Sequence, residues 1–191
     1  MKKLVCITLC VLMLLAFVGC QEKGTAGENT GVSVGIDPPV PGMTWGMTSD
    51  EVAALFEKAG VGEVQTVQMA KLQMMITHEQ AVKLGADTYA GVPLYDVTSP
   101  IVLFFECDKD GTNHLAKVAV NLAVENKEEA TAALTETFGQ PLDDGVTWIL
   151  SGSRDNIDVE PSISAIESWG GGKQTIYLNA AGYVMSNFGN F

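Results

Sequence analysis

Polar and apolar positions along the chain follow two periods, and the clearest helical period begins behind a capping sequence. Thr48-Ser-Asp-Glu51 has the form of a capping box, in which the hydroxyl and the carboxylate each satisfy a backbone N–H of the first turn. Apolar residues then recur at helical spacing: Val52, Leu55, Phe56 and Ala59. The pattern predicts a helix over 49–59 that stops at Gly60.

Two further capping sequences predict helices. Asn126-Lys-Glu-Glu129 precedes an Ala- and Leu-rich stripe, and Gly139 and Pro141 follow it, so we expect a helix over 127–138. Thr77-His-Glu-Gln80 predicts a short helix directly after it. The stretch 62–76 stays open, because its alternating apolar residues favour a strand while its Gln- and Met-rich composition also suits a helix.

Alternation of period two predicts the strands. The clearest pair is a hairpin of 101–107 and 114–124, joined by the turn-forming residues Asp108–Asn113. The segment 87–100 is predicted to be loop with one short strand around 94–97. Further strands are predicted in three places: 146–151, 163–169 and 174–180, with Gly170–Lys173 as a hairpin turn between the last two.

These elements together predict an α+β fold, with helices packed on one face of an antiparallel β-sheet. The segments 48–60 and 126–139 share a cap, an acidic first turn, an apolar stripe and a closing glycine. This similarity suggests two tandem helix-then-sheet units, 42–124 and 125–191. Chance similarity between two capped helices is the alternative.

The start of the chain has the layout of an export signal. Lys2 and Lys3 precede an uncharged apolar run, Leu4–Val18, which is shorter than a membrane-spanning helix requires. We interpret 1–19 as a signal peptide and 20–41, with its Gly, Ser and Pro residues, as a flexible tether. The globular domain is then expected to span 42–191.

The end of the apolar run, Ala16-Phe-Val-Gly19-Cys20, resembles the lipobox of bacterial lipoproteins. The resemblance implies cleavage between Gly19 and Cys20 and attachment of diacylglycerol to the Cys20 thiol. The chain would then sit on the extracytoplasmic face of the cell membrane, or on the outer membrane if the cell has one. Two or more acyl chains anchor a protein firmly, because each buried CH₂ contributes about 0.8 kcal/mol. An ordinary cleaved signal and an uncleaved anchor are the alternatives.

A second motif lies at the start of the domain. The sequence Trp45-Gly46-Met47-Thr48-Ser-Asp-Glu51-Val52 resembles the first helix start of SmpA/OmlA-type lipoproteins. It is also similar to that of the β-lactamase-inhibitor-protein-like group. The resemblance implies helices on one face of an antiparallel sheet, and protein binding rather than catalysis. The chain departs from the inhibitor pattern after 125, where one helix is predicted instead of two.

The net charge limits the classes of partner that the chain is expected to bind, and the cysteine content limits the bonds that it can form. The formal net charge is −12, and loss of Lys2 and Lys3 with the signal leaves nine basic and 23 acidic residues. Such a chain repels phosphate backbones and anionic headgroups, so we expect no nucleic-acid partner. After Cys20 the remaining cysteine is Cys107, which we expect to be a buried thiol within an apolar strand.

Catalytic and metal-binding motifs are weak. His78 and His114 do not belong to a spaced Cys/His set, and the spacing of Asp108–Asn113 suits a hairpin turn better than a calcium loop. We therefore expect no metal, no cofactor and no enzymatic activity. The expected role is binding another protein or scaffolding, with Trp169 and Tyr177 as contact candidates. The alternatives are an inhibitor of an extracytoplasmic enzyme and an enzyme without a recognisable motif.

Overall fold

The described helices and strands lie within 36–149, 161–168, 174–188 and 190–191 of the computed structural model. The helices are α1 (Ser49–Lys58), α2 (His78–Lys83), α3 (Lys127–Phe138) and α4 (Ala181–Asn187). The strands are β1 (Gln65–Gln68), β2 (Leu72–Ile76), β3 (Thr88–Tyr89), β4 (Val92–Pro93), β5 (Ile101–Cys107), β6 (Asn113–Leu122), β7 (Trp148–Ile149), β8 (Ser162–Ser168) and β9 (Gln174–Asn179).

Seven of these strands form one sheet in the order β1-β2-β5-β6-β9-β8-β7, and every neighbouring pair is antiparallel. The strands before residue 125 form one side of the sheet and those after it form the other. The two sets meet at β6 and β9, which pair from Lys117↔Asn179 to Leu122↔Gln174. β3 and β4 form a separate short hairpin.

One hydrophobic core holds the helices against this sheet. Alternate residues of the central strands are fully buried in it: Ile101, Leu103, Val118, Val120, Ile176 and Leu178. Each helix adds an apolar residue to the same cluster: Val52 and Phe56 from α1, Ala81 from α2, Leu134 from α3 and Val184 from α4. The predicted α+β class, with helices on one face of an antiparallel sheet, is confirmed.

The capping sequences begin the helices where they were predicted. In α1 the Thr48 side chain accepts from the Glu51 N–H, and Glu51 accepts from the Thr48 N–H at 2.8 Å. In α2 Thr77 and Gln80 form the same reciprocal pair. In α3 Asn126 accepts from the Glu129 N–H, and the helix ends at Phe138 as expected.

The open stretch 62–76 is a hairpin of β1 and β2. Met74 and Ile76, which alternate with more exposed neighbours, are buried in the core. The short strand expected around 94–97 is wrong, because the extended pairing lies earlier, in β3 and β4, and Leu94 makes only an isolated bridge to Leu122.

Helix α4 was not predicted. It has only seven residues, and its N-cap, Ala180, forms no side-chain capping bond, so the usual sequence signature of a helix start is missing. The described residues after 125 therefore include two helices, α3 and α4.

The end of the predicted tether requires a correction. Ile36 and Val40 are 0% and 1% exposed and belong to the core, and the indole N–H of Trp45 donates to the Ile36 carbonyl. The packed chain thus begins by Ile36, because these apolar residues gain free energy by leaving water. The predicted signal peptide, Gly19 and Cys20 lie outside the described residues.

Within the described ranges, no helix is long and apolar enough to cross a membrane.

Candidate protein-contact surface

The side of the sheet opposite the helices carries side chains that are partly exposed or, at Ala119, buried at 7% exposure, and we call it the outer face. Its central members come from three neighbouring strands: Val102 and Phe104 of β5, Lys117 and Ala119 of β6, and Tyr177 of β9. These five residues are absent from the core cluster and from the hydrophobic residues packed against it. Strand alternation explains this, because each lies between two residues that point into the core.

Lys117 organises the aromatic residues of the outer face. Its Nζ lies 4.1 Å from the ring centroid of Tyr177 and 5.8 Å from that of Phe104. Both distances fall within the range of cation–π attraction, which contributes about 0.5–2 kcal/mol depending on desolvation. Lys117 lies directly opposite Phe104 on β5 and diagonally to Tyr177 on β9, so the sheet register itself brings the three together.

Polar contacts flank this cluster. Lys71, at the β1–β2 turn, forms an ion pair with Glu106 of β5. On the other flank, the Thr175 hydroxyl donates to the Asn121 side chain at 2.6 Å. An apolar and aromatic centre with a polar border is the usual anatomy of a protein-binding patch.

The two predicted contact residues have different outcomes. Tyr177 lies on the outer face, half-buried beside Lys117. Trp169 and the turn Gly170–Lys173 lie outside the described residues. Phe104 and Lys117 were not predicted to be contact residues. Strand alternation places both on the outward side of the predicted hairpin, and this alternation is the sequence signal that could have identified them.

His114 and Asp108 form a buried pair that the sequence did not predict. The His114 Nδ1 lies 3.0 Å from the Gly46 carbonyl, and its Nε2 lies 3.0 Å from the Asp108 carboxylate. Both partners are acceptor oxygens, so each can accept a hydrogen bond from a ring nitrogen that carries a proton. The His114 and Asp108 side chains are only 9% and 8% exposed, so the pair serves as an internal connection rather than a base open to substrate.

The predicted hairpin turn Asp108–Asn113 is confirmed. The Asp108 carboxylate accepts from the backbone N–H groups of Asp110 and Thr112, which closes the turn between β5 and β6. The Thr112 N–H and then the His114 side chain hold the pKa of Asp108 below its usual value. In the described part of the chain, no group of three or more His, Cys, Asp or Glu residues is placed to hold a metal.

The expectation for Cys107 is wrong. Its thiol is exposed, because Cys107 is the last residue of β5 and follows the strand beyond the reach of the core. His78 is the first residue of helix α2 and directly follows its N-cap, Thr77.

Of three clefts formed by the described residues, none joins a histidine to a carboxylate. The largest, about 580 Å³, lies between the C-terminal ends of α1 and α2 and includes Lys58 and Lys83. A second, of about 280 Å³, lies between α1 and β1. The third, about 440 Å³, includes Asp144, whose pKa is lowered by hydrogen bonds from Thr147 and Val146, which makes it a weaker base.

No family model, curated protein or solved structure matches this chain.

Proposed function

We propose that this chain is a lipid-anchored extracytoplasmic protein that binds another protein through the outer face of its sheet. The observation that carries the binding role is the cluster of Lys117, Tyr177 and Phe104, which lies on the sheet face opposite the hydrophobic core cluster. Aromatic side chains stiffened by a neighbouring cation lose little conformational freedom on binding, which makes them good contact residues.

The anchoring part of the proposal rests on the lipobox-like sequence that ends at Cys20. Acylation of this thiol would hold the folded domain at the membrane surface with the residues before Ile36 as a spacer. An acidic surface keeps such a domain soluble and away from anionic headgroups.

The anchor is tested by processing in cells. Mass spectrometry of the mature protein is expected to find Cys20 as the first residue, carrying diacylglycerol. A Cys20→Ala variant should leave the membrane fraction, while a Cys107→Ala variant should stay there. An unmodified Cys20, or a Cys20→Ala variant that still sediments with membranes, would overturn the anchor.

The binding surface is tested by crosslinking in intact cells that express the full chain. Tyr177→Ala and Lys117→Ala are each expected to reduce the crosslinked partner by about tenfold, since truncation of a central aromatic contact costs more than about 1 kcal/mol. Val82→Ala, at a 52% exposed position of α2, is the matched control and should leave the crosslink unchanged.

Recovery of a partner by itself is not support, because any abundant envelope protein can be captured. The proposal requires that the outer-face variants lose the partner while their unfolding midpoints stay near that of Val82→Ala. Equal crosslinking in Tyr177→Ala, Lys117→Ala and the control would show that the partner binds elsewhere or that the role is different.

A further inference from the structure

We infer that the edge of the sheet at β1 is a docking site for an extended, basic and apolar peptide segment of a partner protein, which would add to the sheet as a further strand. The site combines the outer edge of β1, which pairs with no other strand of the described chain, with the cleft between β1 and α1. It is separate from the outer face and does not depend on it.

The backbone of β1 offers hydrogen-bonding groups at the edge of the sheet. Strand β1 is the last strand on its side of the sheet among the described residues, and it pairs with β2 from Gln65↔Met75 to Gln68↔Leu72. At the end of this hairpin the Met69 N–H donates to the Lys71 carbonyl. Because an antiparallel ladder alternates, Val67 and Gln65 then bond to β2, while the peptide groups of Thr66 and Gln68 point outward.

The hydrogen bonds of the central strands lead to the same assignment for β1. Asn121 N–H donates to the Pro100 carbonyl at 2.8 Å, and Ala180 N–H donates to the Ala116 carbonyl at 2.8 Å, which continue the β5–β6 and β6–β9 ladders. Because bonded and non-bonded pairs alternate along each strand, these bonds also fix the pattern in β5 and then in β2. The same pattern again places the peptide groups of Thr66 and Gln68 on the side of β1 that faces away from β2. Two outward peptide groups, two residues apart, are the template for an added strand.

Strand β1 lacks the usual features that protect a sheet edge. Natural edge strands are usually guarded by lysine, proline, a bulge or an inward charge. The four residues of β1 are Gln, Thr, Val and Gln, which are uncharged and mostly exposed, and their register with β2 is regular. An open edge of this kind favours pairing with another extended chain.

A cleft lies beside this edge of the sheet. It has a volume of about 280 Å³ and lies on the helix side of the sheet, between β1 and α1. Its apolar wall comes from both elements: Ala53 and Phe56 of α1, Val64 before β1, and Met74 of β2. Thr66 lines it as well, so alternate side chains of an added strand would enter the same cleft.

The charge around this cleft selects the occupant. Glu63 is the one ionisable residue lining the cleft within the described chain. Asp50 and Glu57 stand on the same side of α1 as Ala53, one turn away in either direction, and both are exposed. The Glu63 backbone is held in place, since its carbonyl accepts from the Gln80 side chain at 2.9 Å. A segment with an apolar residue and a lysine or arginine two positions apart fits this cleft.

The test uses the full-length protein in detergent and two synthetic blocked heptapeptides. Both have threonine at odd positions. The basic probe has isoleucine, lysine and isoleucine at even positions, and the acidic probe has glutamate in place of lysine. Fluorescence anisotropy is expected to show binding of the basic probe and at least about tenfold weaker binding of the acidic probe.

Two variants locate the binding. Thr66→Pro removes an outward N–H that the ladder with β2 does not use, and proline is tolerated on edge strands. It should weaken the basic probe about tenfold. If Thr66→Pro fails to fold, Ala53→Trp fills the cleft from an exposed helix position and leaves β1 unchanged; it should weaken binding likewise.

Charge reversal and two controls complete the test. Glu63→Lys should weaken the basic probe and strengthen the acidic one. Lys58→Gln, on the other side of α1, and Tyr177→Ala, on the outer face, should change neither. Loss of the outer-face partner with the peptide site intact would thus separate the two proposals.

Three results would overturn the inference. One is equal binding of both probes. Another is binding of the basic probe that survives both Thr66→Pro and Ala53→Trp. The third is a dimer, detected by sedimentation and abolished by the β1 variants without peptide binding, which would show that the edge pairs with a second copy of the chain.

Discussion

Asp108 and His114 show how single side chains join distant parts of this protein. The His114 ring connects the β5–β6 turn, through Asp108, to the carbonyl of Gly46, which is 68 positions away. The same ring meets the Phe191 ring in a T-shaped arrangement, with 6.0 Å between the centroids. Three separate segments therefore meet at one imidazole ring.

Replacement of Asp108 is expected to change how stability depends on pH. The lowered pKa of Asp108 contributes stability above the pKa of an unfolded aspartate, about 3.9, and that contribution is lost as the pH falls through the lower folded-state pKa. Asp108→Asn should therefore lower the free energy of unfolding at neutral pH. It should also flatten the decline in stability below about pH 4.

Urea unfolding measured from neutral to acidic pH checks this prediction. Asp110→Asn, an exposed position in the same turn, is the control and should follow the wild-type curve. If wild type and Asp108→Asn lose stability equally over the acidic range, the carboxylate does not stabilise the turn as the contacts indicate.

At the scale of elements, the segment before α1 acts as a short additional strand. Gly46 N–H donates to the Leu115 carbonyl at 2.9 Å, and Leu115 N–H donates to the Met47 carbonyl at 2.8 Å. Thr48, the N-cap of α1, forms an isolated antiparallel bridge with His114. The Gly46–Thr48 motif thus sets both the start of the helix and its position along β6.

Gly46→Ala is expected to be more destabilising than Gly60→Ala. Both glycines have positive φ, +84° and +67°, which strains any L side chain by about 1 kcal/mol. A Cβ at Gly46 would also lie 2.3 Å from the Phe188 ring, whereas a Cβ at Gly60 would meet nothing within 4 Å. We expect about 1 kcal/mol for Gly60→Ala and about 2–4 kcal/mol for Gly46→Ala.

Chemical denaturation of the two variants measures this difference. Adding Phe188→Ala to Gly46→Ala should recover part of the loss, because the steric component depends on the ring. Equal losses for the two alanine variants would show that Phe188 moves aside without cost and that only the backbone conformation matters.

At the scale of the whole molecule, the two halves distinguished in the sequence share a sheet and a core. Strands from both sides of residue 125 meet at β6 and β9, and residues from both sides belong to one hydrophobic cluster. The internal repeat stays a prediction, but among the described residues the two halves contribute to one shared core. Unfolding of one half would expose the apolar face of the other.

The chain from Ile36 onward is therefore expected to unfold in a single transition. Trp45 reports on the first half and Trp148 on the second, and both are buried, at 3% and 1% exposure. The test uses two variants that both carry Trp169→Phe, one keeping only Trp45 and the other only Trp148. After correction for the stability of each variant, the two fluorescence midpoints should be equal. Circular dichroism on the same samples serves as the common reference.

Separate midpoints, each differing from the circular dichroism midpoint of the same sample, would mean that 42–124 and 125–191 unfold independently. In that case the tandem-unit interpretation would gain support over a single cooperative domain.

Local patterns were enough to predict most of the elements. The three capped helices and the β5–β6 hairpin follow from side chains that bond or alternate within a few positions of one another, so neighbouring residues carry the whole signal. The outward position of Tyr177 could be predicted for the same reason, since alternation along β9 places it on the opposite face from Ile176 and Leu178.

Only the tertiary structure decided the order of the strands, the burial of Ile36 and Val40, and the exposure of Cys107. It also brought Lys117 to Tyr177 and His114 to Gly46. Each of these depends on which strand or segment lies alongside another, and that choice is made by burying apolar surface across long sequence separations. Periodicity states which face of an element is apolar but not which partner will cover it.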